Sequence, residues 1–160
     1  MDDTIKESLD GFEALWRRVR CPGEPSAHAH SPEEALLDLV RREASAAAYT
    51  AALAGTFRGD SRALLQRHAA QARAHLRRLR AEYFIATGVA AGVKEDRRAP
   101  DARLTALRTV LLQARDMAEA YERAADLTDC PELREVFQTF AQDERNRFRE
   151  IRALVVGSFS

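Results

Sequence analysis

Gln71-Ala72-Arg73-Ala74-His75 lies in a helical run predicted from Ser61 to about Thr87, and Asp143-Glu144-Arg145-Asn146-Arg147 occupies the matching place 72 residues further along. The i, i+3 spacing sets residues 72 and 75, and likewise 144 and 147, side by side on one helix face.

Sliding the chain on itself by 72 residues extends the correspondence in both directions. Tyr49 meets Tyr121, Ala46 meets Ala118, Leu39 meets Leu111, Leu65 meets Phe137, Leu76 meets Phe148 and Leu79 meets Ile151. The repeat implies an all-α chain: two helical hairpins related by a pseudo-twofold axis, packed as an antiparallel four-helix bundle with one longer crossover. The same offset brings Glu43 onto Arg115, Ala72 onto Glu144 and His75 onto Arg147. His68, opposite Phe140 and one heptad before His75, reads as a core histidine.

Local signals agree with four helices. Ser31-Pro32-Glu33-Glu34 offers a capping box with proline in the first turn, and Leu36, Leu37, Val40, Ala47 and Leu53 carry helix one to about Thr56. Gly59 is expected to stop it and Asp60 to cap helix two, with Leu64, Leu65, Leu76, Leu79 and Phe84 on its apolar face and Gly88 at its end. Residues 88–100 contain two glycines, a charged run and Pro100, and form the crossover. Asp101 is expected to cap helix three, which runs to about Leu127 through Leu104, Leu107, Val110 and Leu111. Asp129-Cys130-Pro131-Glu132 opens helix four, with Val136, Phe137, Phe140, Phe148, Ile151 and Val155 on its apolar positions.

The 160 residues are 46% hydrophobic and 31% charged, rich in Ala, Leu, Arg and Glu, the composition of a soluble helical domain. With 25 basic and 25 acidic residues the net charge is zero, so nothing global favours nucleic acid or an anionic membrane. Two cysteines, Cys21 and Cys130, form no CxxC and cannot build a structural zinc or rubredoxin-type iron site. Their usage fits a reducing cytoplasm, and the acidic start leads into no apolar h-region. Residues 1–30 read as a short amphipathic N-terminal helix, with Ile5, Leu9, Phe12, Leu15 and Trp16 on one face, followed by a linker bearing His28 and His30. The apolar face around Trp16 favours a homodimer. Residues 31–160 form the bundle.

Over residues 31 to 156 the chain resembles the ferritin-like superfamily, in its rubrerythrin-like, di-iron carboxylate branch. Helix one carries Glu43-Ala-Ser-Ala46-Ala-Ala-Tyr49, a Glu six residues before an aromatic. Helix two keeps His75-Leu76-x-x-Leu79 and the continuation Glu82-Tyr83-Phe84-Ile-Ala-Thr87-Gly88. The resemblance implies a Glu on each of helices one and three and Glu-x-x-His on each of helices two and four, enclosing two metal ions. Against that pattern Ala72 stands for a Glu, Arg115 for a Glu and Arg147 for a His. Glu43, His75 and Glu144 remain, with Tyr49 and Tyr121 lining the site.

The replacements balance charge. Four buried carboxylates need cations, whereas here Arg115 and Arg147 offset Glu43 and Glu144, and a guanidinium forks well onto a carboxylate. The first expectation is a non-catalytic structural or binding protein with Glu–Arg salt bridges in place of metal and no cofactor. The second is a single iron, manganese or zinc ion on Glu43, His75 and Glu144, with an oxidoreductase or peroxide-related role fed by an external electron donor. A third is a small-anion pocket lined by Arg115, Arg147, Tyr49 and Tyr121.

Overall fold

In a computed structural model the described residues, 31–95 and 97–160, form four helices and no strand, a four-helix bundle. The expectations for Trp16, Cys21, His28, His30 and the N-terminal helix fall outside the described residues. Helix α1 spans Pro32–Ala54, α2 Gly59–Thr87, α3 Arg103–Leu127 and α4 Pro131–Gly157.

The ends follow from local chemistry. Ser31 Oγ accepts from the Glu34 amide at 3.2 Å while the Ser31 amide donates to Glu34 Oε2 at 3.0 Å, the reciprocal pair of a capping box. Gly88 closes α2 in the left-handed region, φ 71°, with its amide on the Phe84 carbonyl, a conformation glycine adopts without Cβ strain. Three expected boundary signals sit elsewhere. α1 ends at Ala54 with Gly55 at its C-terminal cap, so Gly59 does not stop it. α2 begins one residue before Asp60, at Gly59 (φ 58°), so Asp60 lies in the first turn and Arg58 is the cap residue without a side-chain bond. The carboxylate favours the positive helix end from there. Asp101 does not cap α3, whose cap residue is Ala102; its Oδ2 instead accepts the Tyr49 hydroxyl at 2.8 Å.

Two apolar clusters set the helix directions. One joins Leu36, Leu39 and Val40 at the start of α1 to Leu76 and Leu79 late in α2, Tyr121 and Ala125 late in α3, and Phe137 early in α4. The other joins Leu53 at the end of α1 to Leu65 early in α2, Leu107 and Val110 early in α3, and Ile151 late in α4. α1 therefore runs antiparallel to α2 and to α3, and α3 antiparallel to α4. Packing is most extensive for α1 against α2 and α3 against α4, and slight for α2 against α4.

Because α2 and α3 end at the same pole, their connection must travel the length of the bundle. A 25-residue helix such as α3 is about 37 Å long, and the segment 88–102 reaches about 50 Å when extended. Its path is pinned at both ends: Arg80 donates to the Val93 carbonyl at 3.2 Å, and Arg98 lies 5.1 Å from the centre of the Tyr49 ring.

Phe84 and Leu104, expected on apolar faces, are exposed at 55% and 43%. Both stand near helix termini, beyond the reach of the neighbouring helices that cover the middle turns. No helix among the described residues is long and apolar enough to cross a membrane.

Candidate functional site

A buried polar layer separates the two apolar clusters. Glu43 and Thr50 of α1, His68 and His75 of α2, and Glu144 and Arg147 of α4 are all buried there. In each pair the spacing, seven residues or three, returns both side chains to one helix face.

His75 is the hub. Its Nδ1 lies 3.0 Å from Glu43 Oε1 and 3.7 Å from Glu144 Oε1, and its Nε2 lies 2.9 Å from Asp143 Oδ2. The Tyr121 hydroxyl donates to the same Glu43 Oε1 at 2.5 Å. The Phe140 ring stacks on the imidazole with centroids 3.9 Å apart. With a carboxylate on each nitrogen, the ring is placed to donate twice, which is the imidazolium form. Burial alone would lower its pKa, but the hydrogen bond and charge of Glu43, the bond to Asp143 and the charge of Glu144 hold it above the usual histidine value.

Arg147 fills the other side of the layer. Its Nη2 donates to Thr50 Oγ1 at 2.5 Å and its Nη1 lies 3.5 Å from Glu144 Oε2. Burial pushes the Glu144 carboxyl up to about 7, with the charge of Glu43 adding to the rise and Arg147 and His75 opposing it. Burial and the nearby Glu43 carboxylate likewise hold the Tyr121 hydroxyl well above the ordinary phenol range. His68 is pushed the other way, to about 4, by burial and by Arg147. Its Nε2 stands 2.7 Å from Glu150 Oε2 but without hydrogen-bond alignment. Glu43 Oε2 and Arg147 Nε are buried without a hydrogen-bond partner.

The expected site residues divide. Glu43, His75, Glu144, Arg147 and Tyr121 converge, and Ala72 is buried one turn before His75. Arg115 does not join them. Its side chain is 54% exposed and pairs with the neighbouring Asp116 at 2.9 Å, so it neither replaces a ligand nor bridges Glu43. The inward residue is Ala114, fully buried two turns before Tyr121. One residue is about 100° of helical rotation, which turns Arg115 to solvent. Tyr49 is also absent from the layer, since its hydroxyl goes to Asp101. An anion pocket built on Arg115, Arg147, Tyr49 and Tyr121 is therefore not assembled. Thr50, Asp143 and Phe140 were missed as site residues, although Thr50 stands seven residues after Glu43 and Asp143 directly before Glu144.

The donor set can be tested against metal. A two-ion centre does not fit: residues 72 and 114 are alanines without donor atoms, and Arg147 is a cation. For one ion, Glu43, His75 and Glu144 each offer an atom, all within 4.8 Å of one another, the size of a two-carboxylate, one-imidazole set. The His75 atom on that side is Nδ1, which already faces Glu43, so an ion there takes the place of the Nδ1 proton.

Comparison with known proteins adds to the fold alone. No family model and no curated protein matches the chain. A solved structure titled as a hypothetical protein from Pyrococcus furiosus superposes with a TM-score of 0.69 at 18% identity, covering 78% of this chain and 88% of that one.

Proposed function

We propose that the chain is a ferritin-like bundle of the rubrerythrin-like branch, two hairpins about a pseudo-twofold axis, in which a metal centre has become a charge-compensated polar core. It serves as a structural or binding protein without oxidase or peroxidase chemistry. The observation that carries this reading is the pairing of His75 with carboxylates on both ring nitrogens beside the buried Arg147. Imidazolium and guanidinium then supply, inside the layer, positive charge that buried carboxylates otherwise draw from ions. The balancing cations are thus His75 and Arg147, rather than the Arg115 and Arg147 expected from the repeat.

A second reading rests on the 4.8 Å grouping of Glu43, His75 and Glu144. These residues would hold one iron, manganese or zinc ion, which when bound would supply redox or Lewis-acid chemistry to oxygen or peroxide. Iron or manganese in that role would need an external electron donor.

Restoring the erased ligands tests the first reading. The triple variant Ala72→Glu, Ala114→Glu, Arg147→His rebuilds six inward donors and is expected to take up about two ions per chain, the stoichiometry of a carboxylate-bridged pair. Substituting Arg115 in place of Ala114 puts the new carboxylate in solvent and is expected not to do so. Equal uptake by both triple variants would contradict the inward placement of residue 114.

A further inference from the structure

The crossover builds a second feature, lined by none of the polar-layer residues. Where the segment after α2 lies along the start of α1, a groove of about 500 Å³ opens. Its apolar wall is Leu37, Ala91 and Val93 with the Tyr83 ring, and its charged rim is Arg41 and Lys94. Ala91, Val93 and Tyr83 are themselves packed on the first apolar cluster, and the Arg80 bond to the Val93 carbonyl holds the wall in place. The groove is thus supported from beneath.

Its charges are unanswered among the described residues. Among the described residues neither Arg41 nor Lys94 has an ion-pair or hydrogen-bond partner, and the Tyr83 hydroxyl has none. The nearby Asp38 is taken by Arg42 at 2.8 Å, and the Arg80 guanidinium, a further cation behind the wall, meets, among the described residues, only a backbone carbonyl. Unpaired exposed arginines also occur elsewhere among the described residues, Arg73 and Arg108 for example, so what sets the groove apart is two such cations beside one apolar wall. Two free cations over an apolar wall form the lining of a small-ligand site: a few polar groups fix orientation and apolar surface supplies area.

We propose that this groove binds a small organic monocarboxylate with a compact apolar body. The carboxylate sits between the Arg41 guanidinium and the Lys94 ammonium, within reach of the Tyr83 hydroxyl, and the apolar body lies on Leu37, Ala91 and Val93. Arg41 supplies a planar fork that matches a carboxylate, and Lys94 a point charge. Inorganic phosphate satisfies the rim but leaves the wall in water, and a neutral alcohol does the reverse, so neither matches the whole groove.

The test is titration of the full chain with benzoate and hexanoate, followed by amide and methyl NMR shifts, with inorganic phosphate and 1-hexanol as half-matching probes. Saturable shifts centred on Leu37, Tyr83, Ala91 and Val93 are expected. Affinity should be at least about tenfold higher for the carboxylates than for either half-probe, a difference of about 1.4 kcal/mol. The exposed double substitution Arg41→Gln, Lys94→Gln should keep the helical circular dichroism and weaken benzoate at least about tenfold, while Arg73→Gln on the outer face of α2 leaves it unchanged. Absence of saturable carboxylate binding, shifts that map away from the groove, phosphate binding as tightly as benzoate, or benzoate affinity unaltered in the double variant would each overturn the proposal. The wild-type shift map decides the matter even if the double variant is unstable.

Discussion

Arg147 stands one helical turn after Glu144 on α4, and its Nη1 approaches the Glu144 carboxylate to 3.5 Å with both side chains almost wholly buried. The pair is a buried charge held by its surroundings, and its removal has a defined cost. Arg147→Met leaves the Glu144 carboxylate near Glu43 with one cation fewer. Breaking such a pair costs about 3 to 5 kcal/mol while the carboxylate stays ionised. Because Glu144 is pushed up to about 7 already, it escapes by protonation at low pH. The loss in urea-unfolding free energy should therefore be about 3 kcal/mol at pH 8 and distinctly smaller at pH 5. Arg115→Met, on an exposed side chain, should change stability by less than about 0.5 kcal/mol.

Thr50 and Tyr121 satisfy opposite members of the layer. Thr50→Val removes the acceptor of Arg147 Nη2, and Tyr121→Phe removes a donor to Glu43, whose Oε2 is already without a partner. Thr50→Val leaves Arg147 Nη2 unpaired, at a cost of about 1 to 3 kcal/mol, whereas Tyr121→Phe leaves Glu43 Oε1 with His75 as its remaining partner and should cost about 1 kcal/mol. Because the layer is one network, the double variant should depart from the sum of the singles. Strict additivity in chemical denaturation would mean that the two halves are independent.

The pH dependence has opposing parts. Glu144 binds its proton more tightly folded than unfolded, about 7 against 4.5, so its contribution is present below about pH 4.5 and lost as pH rises to 7. His68 is lowered from 6.5 to about 4, so its contribution is present above pH 6.5 and lost as pH falls to 4. Between pH 4.5 and 6.5 the two nearly cancel. His75 is held above 6.5, and its contribution is full below pH 6.5 and lost as pH rises through its folded value. Wild-type stability should be flat from about pH 5 to 6.5 and fall above. His68→Gln removes the compensating part, and its urea midpoint should fall steadily from about pH 4.5 to 7. A midpoint in that variant that rises with pH over the same range would contradict the assignment.

Much of the fold was legible because helical periodicity and glycine punctuation are local. The α2 to α4 register of 72 residues also agrees with burial: Leu65 and Phe137, Ala72 and Glu144, His75 and Arg147, Leu79 and Ile151 are all inward. The α1 to α3 register failed by one residue. Two tyrosines, Tyr49 and Tyr121, suggested the alignment, yet their hydroxyls serve different tasks, one on Asp101 and one on Glu43. The inward stripe instead matches Glu43 with Ala114 and Thr50 with Tyr121, a shift of 71 residues. An alanine carries no chemical mark of facing a charged layer, so the charged neighbour Arg115 drew the assignment. The partners of Asp101 and Thr50 depend on contacts 52 and 97 residues distant, which local patterns do not encode.

The most direct test of the central claim is the metal content of the native chain, expressed with iron, manganese and zinc supplied and measured by plasma mass spectrometry after gel filtration. If His75 and Arg147 supply the charge of the layer, each metal should be found at less than about 0.1 ion per chain, reflecting competition from a proton and a guanidinium for the carboxylates. About one tightly held ion per chain, lost on Glu43→Gln or His75→Gln, would contradict the account and establish Glu43, His75 and Glu144 as a working metal site.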